Sequence, residues 1–194
     1  MLMGVALFQR KIQWMVVPAL AMGLILGLVE FSPSQAAAGK KKTHLRLWTT
    51  SFPVGGPIPA KYTCDGVGIS PELSWKNLPR GTKSLALIME DPDAAYLTWT
   101  HWIVYNIPPN VLEFLEDFPK DARLPNGITQ GTSDFKTIGY GPPCPPNGIH
   151  RYFFKLFALD QMLDLPGGAL SNQLRDAMKG HILAQTEILG LYGQ

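Results

Sequence analysis

Four side chains suited to handling an anion stand at Asp91, His101, His150 and Tyr152. Asp91 ends the run SLALIMED (84–91), and His101 lies near the start of WTHWIVYNI (99–107). His150 opens HRYFFKLFALD (150–160), with Tyr152 two residues on. Two imidazoles and a phenol can each donate a hydrogen bond to an oxyanion. A carboxylate beside them orients a histidine and favours its protonated form. That chemistry suits a phosphate monoester or another small anion. Asp91 alone would repel such a ligand, so its expected role is to hold a histidine or meet a ligand ammonium. A second carboxylate, Asp93, follows two residues after Asp91.

Other chemistries find less support. There is no G-x-S-x-G elbow, no H-E-x-x-H and no glycine-rich phosphate cradle. Two histidines and an aspartate could form a facial metal triad, but nothing in the spacing enforces one. No metal, cofactor or catalytic residue is therefore assigned. A hydrolase working on a phosphoester or peptide through the His/Asp set is the alternative. The ordinary readings are that Asp91 begins an Asp-Pro turn and Asp93 an Asx-type turn. His44 and His181 are read as ordinary surface histidines, and Arg151 alternates away from the pocket face.

These residues need strands to bring them together. SLALIMED reads as a buried strand with Leu85, Leu87, Met89 and Asp91 on one face. WTHWIVYNI, rich in aromatic and β-branched residues, reads as a second, with Trp99, His101, Ile103, Tyr105 and Ile107 sharing a face. Paired antiparallel through the connection 92–98, the two place Asp91 and His101 at one end of a sheet. In the third strand His150, Tyr152, Phe154, Leu156 and Ala158 share a face. Shorter strands are expected in 44–52 and at Glu72–Trp75. The segment from Pro108 to Gly148 reads as irregular, and loops of that length are commonly functional. ALSNQLRDAMKGH has helical spacing, with Gly180 as its stop. ILAQTEILGLY reads as a terminal strand or strand-like tail. The whole is mainly all-β, an antiparallel two-sheet β-sandwich with one or two short C-terminal helices.

The N-terminus is of another kind. Arg10 and Lys11 precede sixteen uncharged residues (14–29), then a polar, small-residue stretch ending Ala36-Ala37-Ala38. This order fits a signal peptide over 1–38, implying periplasmic or extracellular export. The alternative is a membrane anchor at 14–29, the membrane then being met only through that segment. Residues 39–44 form a basic tail, and 45–194 the domain. Removing 1–38 takes away Arg10, Lys11 and Glu30, leaving 15 basic and 14 acidic residues. A domain so close to neutral is a poor match for a nucleic-acid partner held by phosphate contacts. Cys64 and Cys144 are the only cysteines. In an exported domain they could form one disulfide; two free thiols lining one pocket is the other reading.

The blocks DPDAAYLTWTHWIVYNIP (91–108) and GPPCPPNGIHRYFFKLFALD (141–160) resemble the two signature blocks of the phosphatidylethanolamine-binding protein family. YTCDGVGISPELSW (62–75), SLALIMEDPDA and the ending GHILAQTEILGLYG resemble its bacterial and archaeal, Raf-kinase-inhibitor-like branch. The resemblance covers Leu45 to Gly193. It implies an antiparallel β-sandwich with a small anion pocket, which binds phosphate-type anions or phospholipid head groups and modulates a protein partner such as a kinase or protease. Carried over by residue, the pocket is Asp91, Asp93, His101, Pro143, His150 and Tyr152, with Trp99 and Gly141 in its wall. Four positions depart from the pattern of the branch: Ala95 replaces a proline, Pro142 and Lys136 stand where glycine is common, and Leu191 replaces a small polar residue.

Overall fold

A computed structural model describes residues 44–193. The expected signal segment lies outside them, and of the basic tail only His44, exposed, is included. Among the described residues, eight strands and one α-helix follow in the order β1 (Arg46–Trp48), β2 (Leu73–Lys76), β3 (Ser84–Asp91), β4 (Trp99–Ile107), β5 (Glu113–Phe114), β6 (Thr129–Gln130), β7 (Ile149–Leu159), α1 (Ser171–Met178) and β8 (Ile182–Gly193). They form two sheets with antiparallel pairing: β1-β2-β5 and β6-β4-β3-β7-β8. The expected sandwich is present. The bounds of β3 and β4 coincide with SLALIMED and WTHWIVYNI, and the terminal segment is a full strand of the larger sheet.

The larger sheet is covered on both faces, which is why β3 is apolar almost throughout and buried at every position. One core cluster joins Leu85, Leu87 and Met89 of β3 to Tyr152, Phe154 and Leu156 of β7, and to Leu47, Leu73 and Trp75 of the smaller sheet. The other holds Ala86, Ile88, Ile103, Tyr105, Phe157 and Leu159, closed over by Leu174 and Met178 of α1. Each buried aliphatic or methionine side chain contributes roughly 1.5–3 kcal/mol by leaving water. The helix begins where Gln173 accepts the Leu170 N–H through its side chain. It ends at Gly180, whose φ of 81° only glycine adopts without strain.

Strict alternation fails along β4. Met89 pairs with Trp102 but Glu90 with Thr100, so His101 is an extra residue, a β-bulge. A second shift falls between Val104 and Ile107, where Asn106 takes φ 55° and its amide bonds both the N–H and C=O of Leu163. Trp99, His101, Ile103, Tyr105 and Ile107 therefore do not share a face. Ile103 and Tyr105 turn to the helix side, while Trp102, Val104 and Ile107 enter the inter-sheet core.

The segment 108–148 is less irregular than its sequence suggests. It contributes β5 to one sheet and β6 to the other. Downstream of β6 it continues along β4 through Gly131 N–H to Ile103 O and Asp134 N–H to Thr100 O. The Asp134 carboxylate accepts the Thr100 N–H in return. This clamp delivers Phe135 onto His101, with ring centroids 5.2 Å apart.

Candidate functional site

Asp91, Trp99, His101, His150 and Tyr152 line one cavity of about 210 Å³ at the end of the larger sheet. Three adjacent strands supply them. β3 pairs with β4 at Asp91–Trp99 and with β7 through Glu90–Phe153, so the polar ends of all three strands coincide. The bulge is what brings His101 in. Without it, alternation would turn that ring to the helix side with Ile103.

The Asp91 carboxylate is buried and accepts from His150 Nδ1–H at 2.7 Å. Its other oxygen accepts the Asp93 N–H at 2.8 Å, closing an Asx-type turn at the strand end. The dyad fixes the His150 ring and leaves Nε2 for the cavity. His101 donates Nδ1–H to the Gly141 carbonyl at 2.9 Å, and Gly141 returns its N–H to His101 O. A carbonyl can only accept, so the tautomer is set. Burial pushes the His101 imidazole below its ordinary 6.5, opposed by the Gly141 bond and by Asp91. In the neutral ring Nε2 is therefore an acceptor, and His101 donates to an anion only after taking up a proton. That refines the expectation of three donors.

Tyr152 stands edge-on to His101, centroids 5.2 Å apart, and is fully buried. Among the described residues its hydroxyl is the one buried side-chain polar atom without a hydrogen-bond partner. Burial first, then the Asp91 carboxylate, hold the phenol far above its ordinary value, so it stays protonated and able to donate. Trp99 and Phe135, 5.4 Å apart, form the aromatic wall.

Three of the expected residues stand behind this cavity. Asp93 accepts from the backbone N–H, Nε and Nη2 of Arg151. The guanidinium holds its carboxyl below the usual range, and the pair ties the 92–98 loop to β7. Pro143 offers its carbonyl to Cys64 N–H. Gly141 holds His101, and a Cβ there would lie 2.5 Å from the Phe135 ring. Cys64 and Cys144 are joined as a disulfide, with Cα atoms 5.4 Å apart, and Cys144 lines the cavity with Pro145 and Pro146. Phe135, Ala94 and Ala95 are lining residues that sequence reasoning missed. Phe135 lies in a stretch without periodicity, and its nearest local signal is the SD turn before it.

The fold and cavity together define the class: an antiparallel two-sheet β-sandwich with a small polar pocket at its strand ends. The phosphatidylethanolamine-binding protein family model matches residues 48–193. A "UPF0098 protein" of Methanothermobacter thermautotrophicus is 51% identical over 148 residues, covering 76% of this chain and 98% of that one. Another from Aquifex aeolicus is 52% identical over 151 residues, covering 76% and 88%. A crystal structure of a phosphatidylethanolamine-binding protein homolog from Chlamydia trachomatis superposes with a TM-score of 0.71 at 44% identity, covering 78% of this chain and 98% of that one. The chain belongs to the phosphatidylethanolamine-binding protein family.

Proposed function

We propose that this protein binds a small phosphate-type anion, free or as a phospholipid head group, in the Asp91–His101–His150–Tyr152 cavity. The observation that carries the reading is the buried hydroxyl of Tyr152, a residue of the cavity lining, which has no hydrogen-bond partner among the described residues. A buried donor left unmade costs about 1–3 kcal/mol, and a ligand oxygen would remove that cost. The His150 ring, oriented through Asp91, and the His101 ring supply the other donors once each is protonated, each then donating from Nε2. We propose export as well, on the ground that a disulfide such as Cys64–Cys144 persists in oxidising compartments. Modulation of a protein partner would be a consequence of the bound state.

Calorimetry with inorganic phosphate and phosphorylethanolamine tests the reading. Both should bind, and His150→Ala should weaken each at least tenfold. Absence of binding by the unmodified protein would overturn it. The Asp91–His150 dyad also favours a second reading, a hydrolase in which His150 moves a proton. Turnover of a phosphomonoester, lost in His150→Ala, would establish that one instead.

A further inference from the structure

We infer that the Cys64–Cys144 disulfide is a positioning device for the anion pocket, and that its reduction by a dithiol opens the pocket wall and releases the ligand. The inference rests on the anion-pocket reading above. It starts from the loop 141–148, GPPCPPNG, which joins Gly141 to β7. Pro142, Pro143, Pro145 and Pro146 have no N–H, so half the loop cannot donate to the body of the protein. Among the described residues, the backbone bonds that hold it are few. Gly141 and His101 exchange theirs at one end, and Cys64 N–H donates to Pro143 O at 3.0 Å. Between those contacts and the start of β7, the covalent tether is Cys144.

The anchor on the other side is firm. Cys64 follows a 3-10 turn (Ala60–Tyr62) in which Thr63 N–H and Oγ–H both bond Ala60 O. Tyr140 OH bonds Tyr62 O at 2.7 Å just before the loop begins. The disulfide thus pins a weakly bonded loop to a well-bonded turn. What it pins is functional surface. Cys144, Pro145 and Pro146 are cavity wall, and Gly141, three residues before Cys144, carries the carbonyl that fixes the His101 tautomer.

Both cysteines are exposed, so a dithiol can reach the bond. Its thiolate attacks one sulfur, and a mixed disulfide forms and resolves. The products are two protein thiols and the oxidised dithiol. The wall loop then loses its covalent tether, and the Gly141–His101 exchange and the single Cys64 N–H to Pro143 O bond are left to hold it.

Inorganic phosphate and the full chain test this. Kd is measured by calorimetry with and without dithiothreitol, and in a Cys64→Ser/Cys144→Ser variant. The expected result is at least tenfold weaker binding on reduction, restored by reoxidation. The double variant should bind as weakly and be insensitive to the reductant. In parallel, ¹⁵N shifts of His101 should show one neutral tautomer, with the proton on Nδ1, in the oxidised protein and a mixture in the reduced one. A purely structural bond would not move that signal. Equal affinity in both redox states overturns the inference while leaving the pocket intact. A reduced protein whose amide spectrum collapses also overturns it, because the bond would then hold the fold and not the wall. No phosphate binding in either state removes the pocket reading, and this inference with it.

Discussion

At the scale of single residues, the pocket is built from donors whose readiness depends on burial. His101 packs against Phe135 and Tyr152, with Asp91, Asp134 and His150 as its charged or titrating neighbours. Desolvation dominates, so the folded ring gains its proton at lower pH than the unfolded one, whose ordinary value is 6.5. Above that value both states are neutral and stability does not depend on this group. As pH falls through it, the unfolded chain binds a proton that the folded chain resists, and stability declines toward the folded value. The melting temperature of the unliganded protein should therefore drop between pH 6.5 and 5, less steeply in His101→Gln. Phosphate affinity should run the other way, rising as pH falls, because an anion favours the protonated ring. A pH-independent Kd would mean that His101 does not meet the anion. Tyr152→Phe separates ligand from fold more sharply. The hydroxyl has no partner among the described residues, so its removal should leave unfolding free energy unchanged or raised by about 1 kcal/mol. Phosphate binding should weaken all the same. Denaturant titration and calorimetry on the same variant measure the two, and a destabilised Tyr152→Phe would show that the hydroxyl serves the fold.

At the scale of elements, strand identity was legible and strand regularity was not. β3 and β7 alternate as their sequences predict because each runs straight through the sheet, with pocket residues continuing the core face. β4 holds two extra residues that pairing with β3 reveals and its own sequence does not. Asp91, His150 and Tyr152 were thus placed by alternation alone. His101 was placed in the pocket by its strand end, for a face argument that the bulge replaces. Phe135 was out of reach because a turn, not a periodic element, delivers it. That turn carries Lys136 at φ 63°, where the resemblance marks glycine as common. The left-handed conformation costs an L-residue roughly 1–2 kcal/mol, against about 0.4–1 kcal/mol of unfolded-state freedom that a glycine adds. Lys136→Gly should therefore stabilise the protein by about 0.5 kcal/mol in denaturant titration. No gain, or a loss, would mean that the lysine side chain contributes contacts of its own.

At the scale of the molecule, the two sheets draw on the chain in alternation, and their long connections must be held by something other than ladders. Cys64 lies in the connection from β1 to β2 of the smaller sheet, and Cys144 in that from β6 to β7 of the larger. The bond spans 80 residues of sequence, so it restricts the unfolded ensemble over a large part of the domain. Cross-links of this kind contribute about 2–4 kcal/mol, chiefly through lost chain entropy of the unfolded state. Cys64→Ser/Cys144→Ser should lower the guanidinium midpoint by a corresponding amount. It should also raise the slope m, because an uncrosslinked unfolded chain exposes more surface. The two sheets and their core clusters do not depend on the bond for contacts, so the variant should remain folded at 25 °C with an unchanged far-ultraviolet spectrum. A lower midpoint with no change in m would place the loss in the native state, through strain or lost packing at the pocket wall.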